Sequence, residues 1–169
     1  MTGNRIRRPL YTPEQRSLRD RSRWTVVQGV LAPLQFLVFL VSLALVVRYL
    51  QTGEGWTAAT VSVVVKTLVL YTIMVTGMFW EKVVFGRWLF AAAFFWEDVM
   101  SMLVLALHTA YLVALATGAF GPHEQMWLAL AAYAAYVINA AQYLVKFRAA
   151  RLESPSGGTG RTMRARTVH

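Results

Sequence analysis

The chain has 169 residues, 57% of them hydrophobic, a formal charge of +9 and no cysteine. Without cysteine it forms no disulfide, no thiolate metal site and no thiol nucleophile. The apolar share exceeds that of an ordinary soluble domain and signals membrane spans. The basic residues gather in two tails that flank apolar segments, which points to a lipid bilayer and away from nucleic acid.

Residues 1–23 form a basic N-terminal segment with seven Arg and none of the apolar core of a cleaved leader, so the first span is expected to stay in the mature protein. Within it, Thr12-Pro13-Glu14-Gln15 has capping-box spacing with Pro13 at the first helical position. This predicts a short juxtamembrane helix lying on the membrane surface. Residues 24–147 then hold four apolar stretches, at 24–48, 57–80, 89–117 and 126–147. Each reaches the roughly 20 residues that a bilayer core requires. Pro33 predicts a kink in the first. The connections at 51–55, 81–87 and 118–125 are short, and residues 148–169 are basic, rich in Gly, Ser and Arg, and expected to be disordered. The fold class is therefore an all-α integral membrane protein, a four-transmembrane-helix bundle. Arg residues before the first span, Lys82 and Arg87 between the second and third, and Lys146 onward after the fourth put both termini in the cytoplasm.

That orientation gives each polar residue a depth. Gln28, Gln35, Glu97, Asp98, Ser101, Asn139 and Gln142 fall in the cytoplasmic half, with Glu81 at its border. Lys66 lies near mid-depth and His108 further out. At 100° per residue, Glu97, Ser101, Val104, His108 and Tyr111 share one stripe of the third span, while Asp98 stands about 100° away. Lys66, Ile73 and Gly77 share a face of the second span. Ala132, Ala135, Asn139, Gln142 and Lys146 share one of the fourth.

The stretch FFWED, residues 94–98, carries the chemistry. A carboxylic acid that keeps its proton in an apolar surround is a usable general acid, and a second carboxylate differently placed can act as base. Glu97 is read as the buried acid. Asp98 is read as orienting water or pairing with Lys66 or Lys82, and Glu81 and Lys66 are further catalytic candidates. Phe94, Phe95, Trp96, Gln28, Gln35, Asn139, Gln142 and His108 are candidates for binding a substrate. Plainer readings stand beside these. Lys66 pairs with an acid and fixes the bundle; Glu97 and Asp98 are first-turn acids favoured by the helix dipole; His108 is a hydrogen-bonded core histidine; the tryptophans are interfacial belts. No metal motif is present, and a di-haem cytochrome would need more than the single histidine of these spans.

Taken together, TPEQR (12–16), WTVVQGVLAPLQFLVFLVSL (24–43), VVVKTLVLYTIMVTGMFWEKVVFG (63–86), WLFAAAFFWEDVMSMLVLALHTAYL (88–112) and MWLALAAYAAYVINAAQYL (126–144) resemble the membrane 3-vinyl hydratases of bacteriochlorophyll biosynthesis. The resemblance implies a hydro-lyase that adds water to the vinyl group of chlorophyllide a or 3-vinyl bacteriochlorophyllide, giving a 1-hydroxyethyl group. It implies no cofactor, magnesium entering only as part of the tetrapyrrole. It also implies the inner, intracytoplasmic photosynthetic membrane of an anoxygenic phototroph, with other enzymes of the pathway as partners. Protonation of the terminal vinyl carbon followed by water addition needs a proton donor, a placed water and a flat apolar slot. Arg23, Lys82 or Lys146 would receive the propionate. Two other classes compete: a non-catalytic pigment-binding or assembly factor with His108 on magnesium, and a cation-coupled transporter using Lys66 and a carboxylate.

Overall fold

The computed structural model describes residues 10–152, which form five helices: α1 Pro13–Arg21, α2 Arg23–Thr52, α3 Trp56–Phe85, α4 Phe95–Thr117 and α5 Pro122–Leu152. α2 to α5 are each long and apolar enough to cross a membrane. They alternate in direction, so one end of the bundle carries α1, the α3–α4 connector and the end of α5. The other end carries two tight turns. In the turn at 53–55, Gly53 and Gly55 both take left-handed φ values, 73° and 83°, which side chains other than glycine rarely adopt.

The predicted capping box is formed. Thr12 Oγ1 accepts from the Gln15 amide at 3.2 Å and Gln15 Oε1 accepts from the Thr12 amide at 3.0 Å. α1 is tethered to the bundle through Tyr11, whose ring stacks on Phe85 at 5.8 Å and meets Phe94 at 6.4 Å, with Arg19 over its other face at 4.7 Å. Burial pushes the Tyr11 phenol above its ordinary pKa. α2 runs unbroken through Pro33.

The central core joins α2 and α5 through Phe39, whose ring lies 5.4 Å from Tyr133 and 5.0 Å from Tyr136. Hydroxyls stitch it together: Ser42 contacts Ser62 at 2.7 Å and Tyr133 at 2.5 Å. Tyr71 reaches Thr109 at 2.7 Å. Lipid provides no hydrophobic driving force between helices, and packing and polar contacts of this kind are what hold helix bundles together there.

Several boundaries differ from the sequence reading. Glu81–Phe85, expected in a connection, continue α3, and α5 runs from Pro122 to Leu152, so residues 148–152 are helical. The remainder of the predicted disordered tail, 153–169, and the start of the basic segment, 1–9, lie outside the described residues. The third span begins at Phe95 and not at 89. Residues 86–94 are apolar but not helical, because their backbone groups find partners other than helical neighbours. Phe90 N–H donates to Asp98 Oδ2 at 2.8 Å, Ala91 N–H to Glu81 Oε1 at 3.1 Å, and Lys146 Nζ donates to the Ala93 carbonyl. Irregular backbone is tolerated among membrane helices only when it is satisfied inside the protein in this way.

Candidate functional site

The connector places three carboxyl groups at one end of the bundle. Glu81 closes α3, while Glu97 and Asp98 occupy the first turn of α4. They are 3%, 7% and 5% exposed. Both members of the 97–98 pair are thus buried, where the sequence reading singled out Glu97 alone. The 100° between them directs Glu97 to α5, where Lys146 Nζ donates to Glu97 Oε2 at 2.5 Å. Asp98 turns to α3: its Oδ2 accepts from the Phe90 N–H and Glu81 Oε1 from the next amide, Ala91, so the two carboxyls lie side by side beneath the connector. Tyr143 OH donates to Asp98 Oδ1 at 3.4 Å. Glu81 and Asp98 are thus neighbouring carboxyls, beside the ion-paired Glu97.

An aromatic wall encloses this layer. Phe94 is buried and packs against Trp80, Phe85, Tyr143 and Phe147 at 5.7–5.9 Å between centroids. The other two aromatics of FFWED turn outward: Phe95 is 44% and Trp96 69% exposed. Phe90 has φ +58°, the one described non-glycine residue in the left-handed region. Such strain persists only where the surroundings hold it, here through the bond from Phe90 N–H to Asp98.

One turn deeper, Asn139 Nδ2 donates to Ser101 Oγ at 2.9 Å. Gln28 spans from α2 to α3, its Nε2 donating to Thr76 Oγ1 at 2.8 Å. Gln35, Asn139 and Gln142 each bury a side-chain oxygen that has no hydrogen-bond partner.

Lys66 and His108 lie elsewhere. Both are 0% exposed. His108 Nδ1–H donates to the Val104 carbonyl at 2.8 Å, which leaves Nε2 to accept from Lys66 Nζ at 2.8 Å. The ammonium also sits 4.1 Å from the Tyr136 ring centre. The expected pairing of Lys66 with an acid is not formed: eleven residues of helix separate His108 from Glu97, about 16 Å. Lys82 is not Asp98's partner either, because its Nζ donates to the Gly86 carbonyl at 3.0 Å. With both ring nitrogens engaged, His108 offers no free lone pair to a metal. Among the described residues no cluster of three or more His, Cys, Asp or Glu could hold a metal ion.

A hollow of about 740 Å³ between α2 and α3, lined by Leu37, Val41, Leu45, Val61 and Val65 among others, holds no titratable side chain. Its apolar lining suits acyl chains and not acid–base chemistry. The sequence reading passed over Tyr143 altogether. Its spacing of four from Asn139 puts it on the polar face of α5, and that signal would have found it.

The comparisons with known proteins agree with the resemblance. The protein-family model described as 2-vinyl bacteriochlorophyllide hydratase matches residues 11–149. A protein of that name from Cereibacter sphaeroides is 68% identical over 147 residues, 86% of this chain and 91% of the relative. One from Rhodobacter capsulatus, with the same name, is 64% identical over 157 residues, 93% of this chain and 91% of the relative. These names number the vinyl-bearing position 2, and the resemblance above numbers it 3; the hydratase activity is common to both. No solved structure matches the chain. The match covers α1, all four long helices and the connector that carries the acids, and the chain belongs to the 2-vinyl bacteriochlorophyllide hydratase family.

Proposed function

We propose that this chain is a multi-pass membrane hydratase that adds water to the vinyl group of a chlorophyllide-type tetrapyrrole in bacteriochlorophyll biosynthesis, at the acid layer beneath the 86–94 connector. The observation that carries the site is the carboxyl pair Glu81–Asp98, held by adjacent amides of the connector, beside the ion pair Glu97–Lys146. The reaction moves no net electrons, so it calls for no cofactor beyond the magnesium that the substrate brings.

The proton shared by Glu81 and Asp98 passes to the terminal vinyl carbon, the π electrons forming the new C–H bond. The cation left on the inner carbon is conjugated with the macrocycle. Water adds to that carbon and returns a proton to the carboxyl pair, closing the cycle. Glu97, in its ion pair with Lys146, supplies a fixed negative charge where the cation develops, the electrostatic role that preorganised charge serves in catalysis. In this reading Asp98 and Glu81 donate the proton and Glu97 supplies the fixed charge. Phe95 and Trp96 offer an outward-facing aromatic shelf on which a flat amphipathic ring can lie, and Phe94 walls the acids. His108, about 16 Å from Glu97 along α4, and Lys66, bonded to it from α3, serve the core and not the reacting arm.

The positively charged flanks support a bundle with both termini and the acid layer on the cytoplasmic side of the inner, photosynthetic membrane, close to other enzymes of the pathway. The test is to incubate membranes containing the protein with chlorophyllide a in ¹⁸O-labelled water, with no added cofactor. Labelled hydroxyethyl product is expected. Unchanged pigment that co-purifies with the chain would instead identify a carrier.

A further inference from the structure

We propose that Asn139, with Ser101 and Gln142, forms the binding site for the reacting water, separate from the acids that supply the proton. This rests on the hydratase reading and assigns its second substrate a place. Asn139 is buried on α5 and its amide nitrogen is already committed to Ser101 Oγ at 2.9 Å. Its Oδ1 and the Gln142 Oε1, one turn along the same face, are buried acceptors without a donor. A buried carbonyl oxygen in an apolar surround requires a donor. A vinyl arm on a conjugated ring carries none. Water carries two, and the hydroxyethyl product carries one.

The position also fits. Ser101 lies one turn beyond Glu97 and Asp98 on α4, so a vinyl group between the two layers meets the proton from one side and water from the other. Tyr143, on the same helix as Asn139, donates its hydroxyl to Asp98 Oδ1 at 3.4 Å and so ties α5 to the acid layer. As water adds, Asn139 Oδ1 accepts a hydrogen bond from it and fixes one lone pair toward the carbon. The released proton returns to the Asp98–Glu81 pair, which Tyr143 OH contacts at Asp98 Oδ1.

Separate sites for proton and water predict separable steps. In D₂O, reversible protonation alone places deuterium in the terminal vinyl carbon of recovered substrate, whereas hydration requires the water site as well. Asn139→Leu, nearly isosteric, is expected to slow hydration roughly 10²-fold, the scale of a misplaced reactant, while vinyl deuterium exchange continues. Asp98→Asn is expected to lose both. Asn139→Leu with hydration near the wild-type rate, or with exchange and hydration falling together, overturns the assignment. If that variant does not accumulate, Gln142→Met on the half-buried part of the same face is read in the same two ways. A wild-type protein that forms no hydroxyethyl product overturns the hydratase reading itself, which is a different result from either.

Discussion

Replacing Lys146 with Met removes the cation from the most tightly engaged carboxylate of the site. In the native protein Lys146 Nζ donates to Glu97 Oε2 and to the Ala93 carbonyl, so one side chain neutralises the acid and pins the connector. Breaking a buried ion pair by removing one partner costs about 3–5 kcal/mol, because a desolvated charge is left behind. The Lys146 side chain is 26% exposed against 9% for Glu97, so water partly reaches the pair and the cost falls between the buried and surface ranges, about 2–3 kcal/mol. That is roughly a 30- to 150-fold change in the folding equilibrium at 1.4 kcal/mol per decade. Removing the carboxylate as well, in Glu97→Gln/Lys146→Met, should recover most of the loss. About 1 kcal/mol should remain for the Ala93 carbonyl, which still lacks its donor. Equilibrium unfolding in mixed micelles, followed by tryptophan fluorescence, measures all members of the cycle. The reasoning is refuted if the double variant is no more stable than Lys146→Met, or if Lys146→Met costs under about 0.5 kcal/mol, the level of a surface pair.

Asp98→Asn removes the shared proton and should lower turnover by roughly 10²–10⁴-fold with pigment still bound; Glu81→Gln should fall in the same range, and full activity in both would move the acid to Glu97. Lys66→Met strips His108 Nε2 of its donor, an expected cost of about 1–3 kcal/mol, yet should keep activity in the folded fraction. A folded but inactive Lys66→Met protein would return Lys66 to the catalytic set. Lys66→Asp should fail to accumulate, since it places a carboxylate beside Tyr136 with no cation to meet it. Reporter fusions at Gly53 and Gly121 should mark the periplasm, and those at Gly86 and Gly157 the cytoplasm; the reverse pattern would overturn the orientation.

The four spans, the capping box at Thr12 and the inward stripe from Glu97 to Tyr111 follow from local patterns that need no partner to be read. Apolar length fixes a span because lipid satisfies no backbone group, and the 100° step of the helix fixes which side chains share a face. What each polar group meets is decided between helices, and sequence is silent there. Lys66 is equally compatible in one dimension with an acid or with His108, and only the register of α3 against α4 brings Nζ to Nε2 at 2.8 Å. The stretch 88–94 is as apolar as a span. It leaves the helix because Glu81, Asp98 and Lys146, drawn from three separate helices, take over its backbone hydrogen bonds. The same meeting of α3, α4 and α5 pairs Asp98 with Glu81 and Glu97 with Lys146. Adjacent carboxylates of one pentapeptide thereby take different partners, because a charge buried in low dielectric is settled by whichever group the tertiary packing brings within reach.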